Sequence, residues 1–156
     1  MAARRRVLAI AAASGRMAYV FFKGGELMDY GLSKKASRGT VEAAGLVQRW
    51  INETTPDVVV TEKISATFKG DRTKALIRAV QRTASHNQVL DVAVTRPRCF
   101  NTKYDEAADL ITRYPEMKGR LPTWRRFYDT EPRDTVFIDA LVLAEQVVVR
   151  SEVAQT

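Results

Sequence analysis

Two periods of apolar spacing divide this chain. Residues Arg6 to Ala12 (RVLAIAA) form a nearly unbroken apolar run, the pattern of a central strand buried on both faces. Ser14-Gly15 supplies a turn, and Met17 to Phe22 (MAYVFF) has the aromatic and β-branched content of a second strand. Gly24-Gly25 is a hairpin signal, after which Glu26 to Leu32 can return as a third strand. Two successive tight turns predict an antiparallel meander.

The period then lengthens. A polar, basic segment, Ser33 to Gly39, leads to Thr40, which reads as a helix N-cap. Val41, Ala44, Leu46, Val47, Trp50 and Ile51 supply one apolar helical face. Pro56 marks a boundary, and Asp57 to Thr61 (DVVVT) predicts a buried strand with Glu62 at its end. The loop Lys63 to Gly70 feeds a helix from about Asp71 to Ser85. Leu76, Ile77 and Val80 form its apolar side, and Lys74, Arg78 and Arg82 share another. Val89 to Thr95 predicts a fifth strand. Asn101 or Thr102 caps a helix running to about Tyr114, residues 115–132 read as a basic, aromatic loop, and a last helix runs from about Arg133 to Arg150. The order is β-β-β-α-β-α-β-α-α. A meander followed by βα crossovers builds one α/β domain over 1–156, a five-stranded mixed sheet flanked by helices.

Composition narrows the class. Apolar residues at 46% and charged residues at 28% are a globular balance, not that of a disordered chain. No apolar run approaches the ~20 residues of a membrane span. The start, MAARRRVLAIAAASGR, mimics a signal peptide, but its apolar part is short and runs into a second strand-like run, so it reads as a buried strand. A single cysteine, Cys99, excludes an intrachain disulfide and fits a cytoplasmic location. The lone His86 falls where a helix ends, a position explained by the helix dipole. The net charge of +7 favours a polyanion, of which nucleic acid is the commonest.

Three segments resemble the ribonuclease-H-like superfamily and, within it, the RuvC-type Holliday-junction resolvases. RVLAIAAASGRMAYVFF is similar to that family's first hairpin, PDVVVTEK to its fourth strand with a terminal glutamate, and FIDALVLAEQVV to its last helix with an aspartate. The resemblance implies a RuvC-type fold, divalent cations (Mg²⁺ or Mn²⁺), DNA as partner and a homodimer. It implies catalytic and metal-ligating roles for Glu62 and Asp139. Two-metal phosphodiester cleavage needs cations ~3.5–4 Å apart held by carboxylates. The expected first-strand aspartate falls on Ala11, with Ala12 as the neighbouring register, and a second helical aspartate falls on Val136. Asp134 is five residues before Asp139, about 140° around the helix, so it does not substitute. Two of four expected ligands are therefore absent. Glu62 at a strand end also reads as an ordinary salt-bridge partner, whereas Asp139 in an apolar stretch demands a partner.

Two further constellations suit nucleic acid. The loop SATFKGDRTKALIR runs into a helix N-terminus, with Lys69, Arg72 and Lys74 for phosphates and Phe68 for stacking. RLPTWRRFYDTEPRD interleaves Arg125 and Arg126 with aromatics, which can equally close over the core. Lys103, near a helix start, resembles a basic position of the family. The functional readings are thus a RuvC-like, metal-dependent junction endonuclease with reduced or lost activity, an inactive binder of branched or structured DNA, and an interaction domain with no nucleic-acid role.

Overall fold

The computed structural model describes residues 5–13, 16–35, 39–67, 69–98, 100, 102–121 and 135–155, the stretch 149–155 as backbone alone. Its elements are β1 (Arg6–Ala13), β2 (Arg16–Lys23), β3 (Glu26–Ser33), α1 (Thr40–Thr54), β4 (Val58–Glu62), α2 (Asp71–His86), β5 (Leu90–Val94), α3 (Lys103–Arg113) and α4 (Val136–Gln155). The strands form one sheet in the order β3-β2-β1-β4-β5. The meander β1–β2–β3 is antiparallel, while β1–β4 and β4–β5 are parallel. A register shift between Phe21 and Phe22 bends the β2–β3 ladder. The mixed five-stranded α/β architecture expected from the sequence is the one observed.

β1 at the sheet's centre is buried on both faces, which is why its sequence does not alternate. Val7, Ala9 and Ala11 point to one side and pack with α3 and α4, around the fully buried Phe22, Phe137 and Leu141. Leu8, Ile10 and Ala12 point to the other side, against Val47 and Trp50 of α1 and Leu76, Ile77 and Val80 of α2. Each fully buried Leu or Phe contributes about 1.5–3 kcal/mol by leaving water. On β4, Val58 and Val60 share the α3/α4 side, so by alternation Glu62 does too. The β1–β4 register, with Ala9 beside Val60, brings Ala11 to the level of Glu62.

Three boundaries differ from expectation. Thr40 is not the N-cap of α1 but its first residue: Gly39 O accepts the first helical bond from Ala43 N, so Gly39 caps without a side-chain bond. Of the two candidates for α3, Thr102 is the cap, its Oγ1 accepting from Asp105 N at 3.1 Å. α4 starts at Val136, later than Arg133. The basic, aromatic segment that includes Trp124 falls in 122–134, outside the described residues. No helix among the described residues is long and apolar enough to cross a membrane.

Candidate functional site

Glu62 and Asp139 meet at the carboxyl end of the central strands. Glu62 is the last residue of β4 and is 3% exposed. Asp139 stands in the first turn of α4, where the helix dipole favours a carboxylate, flanked by the buried Ile138 and Ala140. Ala11 and Val136, where the resemblance would put two further acids, are both buried in the apolar core beneath.

The space between the carboxylates is filled by a side chain of the protein itself. Lys69 Nζ lies 3.2 Å from Glu62 Oε1 and 3.1 Å from Asp139 Oδ2, and donates to Ala12 O at 2.6 Å. Local structure aims it there. After β4, Lys63 N still bonds Val94 O, a short 3-10 turn spans Ile64–Ala66, and Lys69 N donates to Thr67 Oγ1 at 3.2 Å. The chain thereby folds back over the ends of β1 and β4. Lys69 was expected to face phosphates; here its ammonium points inward, toward the buried Glu62, the part-buried Asp139 and a strand-end carbonyl.

A second cation closes the cluster from the other side. Arg96, which follows β5, is buried, with Nε 2.5 Å from Asp139 Oδ1 and Nη2 2.6 Å from Glu106 Oε1 of α3. Its Nη1 donates to Pro97 O at 3.1 Å. Burial opposes the guanidinium's charge, but Asp139 and Glu106 outweigh it and raise its pKa above the ordinary arginine value. Asp139 therefore bridges two side-chain cations, one on each oxygen.

Glu62 is the least satisfied member. Its contact with Lys69 is an attraction at 3.2 Å without hydrogen-bond alignment, and Oε1 accepts no hydrogen bond from a described residue. Lys69 directs its aligned bonds to Ala12 O and Asp139. The ion pair is the dominant interaction there, since charge attraction tolerates poor angles and a hydrogen bond does not.

These residues do not fit a two-metal centre. Mg²⁺-type ions require a shell of oxygen ligands. Among the described residues no three acidic, His or Cys side chains gather to hold a metal ion. Both carboxylates that could contribute already face a cation of the chain.

The remaining expected residues are dispersed. Arg72 is exposed at the start of α2, Lys74 is half-buried one turn on, and Lys103 is half-buried at the start of α3. Phe68, Arg125 and Arg126 lie outside the described residues. Arg96 and Glu106 were missed by sequence reasoning. Their signal is weak: an arginine just after a strand, and a glutamate in the first turn of a helix, each ordinary until the fold pairs them.

No family model and no curated protein sequence matches the chain. Solved structures do. A Thermus thermophilus RuvC structure aligns at TM-score 0.61 and 14% identity, covering 94% of this chain and 96% of that one. T. thermophilus RuvC in complex with a Holliday junction substrate aligns at TM-score 0.62 and 12% identity, covering 96% of each. The Fowlpox virus resolvase in complex with Holliday junction DNA aligns at TM-score 0.58 and 12% identity, covering 90% of this chain and 99% of that one. At such identities the likeness is one of fold, and it spans nearly the whole chain: this protein has the ribonuclease-H-like, RuvC-type fold.

Proposed function

We propose that this chain is a RuvC-like nucleic-acid-processing protein that binds branched or structured DNA and does not cleave it by a two-metal reaction. One observation carries the reading: Lys69 and Arg96 lie against the carboxylates where metal ions would have to bind. A divalent ion would have to displace a positive charge held by three acceptors, at a site to which the described residues bring the carboxylates of Glu62 and Asp139 against that charge. The structure of the fold itself, shared over nearly the full length with RuvC, supports nucleic acid as the partner, as does the net charge of +7.

The alternative of a weakly active nuclease predicts metal-dependent nicking of four-way junctions. An interaction domain predicts no DNA binding at all. Fluorescence anisotropy with four-way-junction, duplex and single-stranded DNA, in Mg²⁺, Mn²⁺ or EDTA, separates the three. We expect binding that weakens with salt, is unchanged by EDTA, and yields no cleavage product. On duplex DNA each neutralised phosphate should add about −0.9 to the log–log salt slope. Cleavage that requires metal and disappears in Asp139→Asn would overturn the proposal, and so would the absence of binding at low salt.

A further inference from the structure

The outer face of α2 carries a line of positive charge that the fold does not use. Thr73, Leu76, Ile77, Val80 and Ala84 bury the inner face of this helix, while Arg78 and Arg82 are exposed on the opposite side and Lys74 is half-buried one turn before them. At four-residue spacing these cations follow one another about 6 Å apart along the axis and drift about 40° around the helix at each step. Among the described residues, none of the three has an ion-pair partner. The arginines of α1 and α3 are neutralised instead: Arg49 by Glu53 four residues on, and Arg113 by Asp109 four residues before it and by Glu145. The one acid of α2, Asp71, stands in the first turn, where the helix dipole favours it.

This arrangement costs the free protein stability in two ways. Like charges four residues apart on a helix repel, and a cation in the first turn, as Lys74 is, opposes the helix dipole. The dipole accounts for Arg82 near the C-terminal end but not for Lys74 or Arg78. A ligand with an equally regular line of negative charge removes both costs. Each strand of a DNA duplex presents one phosphate per about 3.4 Å of axis, so the ~12 Å from Lys74 to Arg82 spans about three or four phosphates. Composition favours duplex over single strand: α2 contains no aromatic residue, whereas single-strand binding relies on stacked bases. Position supplies the rest. Gly70, the cap of α2, directly follows Lys69, so the line starts beside the Lys69–Glu62–Asp139 cluster and leads away from it. We infer that the outer face of α2 is the track for the phosphate backbone of a duplex DNA arm, held by Lys74, Arg78 and Arg82. The inference rests on the reading above that the chain binds branched or structured DNA, and it names the surface on which one arm lies.

The test uses the full chain with a four-way junction, a duplex and a single strand, each followed by anisotropy across a salt series. Arg78→Gln combined with Arg82→Gln should flatten the log–log slope on duplex by about 1.8, since each contact contributes about 0.9. With 1 M salt as the reference, that slope is an affinity loss of about 8-fold per contact at 0.1 M, or roughly 60-fold for the pair. Single-strand affinity should fall far less. Arg78→Lys combined with Arg82→Lys should keep the slope, because a phosphate accepts either cation, whereas bidentate reading of a base edge needs the guanidinium fork. Arg49→Gln on α1 should leave DNA binding as it is. Melting of the Gln pair should be unchanged or higher, because a repulsion has been removed. If the Gln pair keeps full duplex affinity and slope, the α2 track is wrong while the DNA-binding reading stands, and an acidic protein surface becomes the occupant to test. If single-strand binding falls as much as duplex binding, the assignment to a duplex arm is wrong. If the unsubstituted chain binds no DNA at low salt, both readings fail.

Discussion

Replacing Lys69 by Met removes an ammonium and keeps most of the side-chain volume. Glu62 would then be a carboxylate 3% exposed with no counter-ion among the described residues, and Ala12 O would lose the Lys69 donor. Removing one partner of a buried pair destabilises by about 3–5 kcal/mol, because the other charge stays buried. Two features moderate that. The Lys69 side chain is 16% exposed and that of Asp139 is 18%, so water reaches part of the gap, and Asp139 keeps Arg96. We therefore expect the lower end, about 3 kcal/mol. With a urea m-value of about 1–3 kcal/mol per M, the midpoint should fall by roughly 1–3 M. Equilibrium urea unfolding followed by circular dichroism measures it. The decisive comparison is a double-mutant cycle with Glu62→Gln. In the double variant no charge is stranded, so at least half of the loss should return. If the two single losses simply add to within about 0.5 kcal/mol, Lys69 and Glu62 are not coupled and the argument collapses.

The same logic extends to neighbouring groups. Arg96→Met leaves both Asp139 and Glu106 without their guanidinium, so its loss should exceed that of Lys69→Met, at about 3–5 kcal/mol or more, and Arg96→Lys should not rescue it because one ammonium cannot span both carboxylates in the planar fork geometry. Urea midpoints of the three variants check the ranking. Tyr19 and Tyr114 both have raised phenol pKa values, chiefly from burial, with Asp29 and Glu145 accepting hydrogen bonds from their hydroxyls. A raised folded pKa favours the protonated phenol, so their contribution is complete below the ordinary tyrosine value of about 10 and fades as pH rises above it. Phenolate absorbance should show two tyrosines resisting ionisation until the chain unfolds, and Tyr19→Phe with Tyr114→Phe should abolish that resistant fraction.

Local signals and long-range ones were not equally legible in the sequence. The meander could be read because Gly24-Gly25 and Ser14-Gly15 are local turn chemistry, and the unbroken RVLAIAA run already implied a strand buried on both faces. Glu62 and Asp139 were located through the resemblance, and the fold brings them to one ammonium. The direction of Lys69 was not legible. A lysine in a Gly-containing loop reads as a solvated cation, and only the meeting of β1, β4 and α4 creates an acceptor cage that turns it inward. Arg96 and Glu106 carry no local mark either, because their pairing joins segments that sequence periodicity treats separately. The Thr40 cap failed for a smaller reason: a threonine at a helix start can stand at the cap or one residue later, and the deciding bond is made by Gly39 O.

The alanine at position 11 and the inward lysine are two halves of one arrangement, and a paired substitution separates them. Ala11 is buried on the α4 side of β1 at the level of Glu62, so Ala11→Asp places a carboxylate close to Lys69, whose ammonium already bonds the carbonyl of the next residue. In the presence of Lys69 that new charge finds a cation at once. Ala11→Asp alone should thus gain no stabilisation from Mn²⁺, and the main effect should be crowding in a tight core. Combined with Lys69→Met, the same substitution leaves the new carboxylate facing Glu62 and Asp139 without the ammonium. Like-charge repulsion should then lower the melting temperature of the metal-free double variant. A divalent ion that binds the folded state restores it by mass action, about 2.7 kcal/mol at a hundredfold excess over Kd. Calorimetry across a Mn²⁺ series reads both variants without reference to any activity. If Ala11→Asp alone binds Mn²⁺ as tightly as the double variant, Lys69 is not what keeps metal out. The absence of an acid at position 11 would then be sufficient by itself, and the inward lysine would be a consequence of the empty space rather than its replacement.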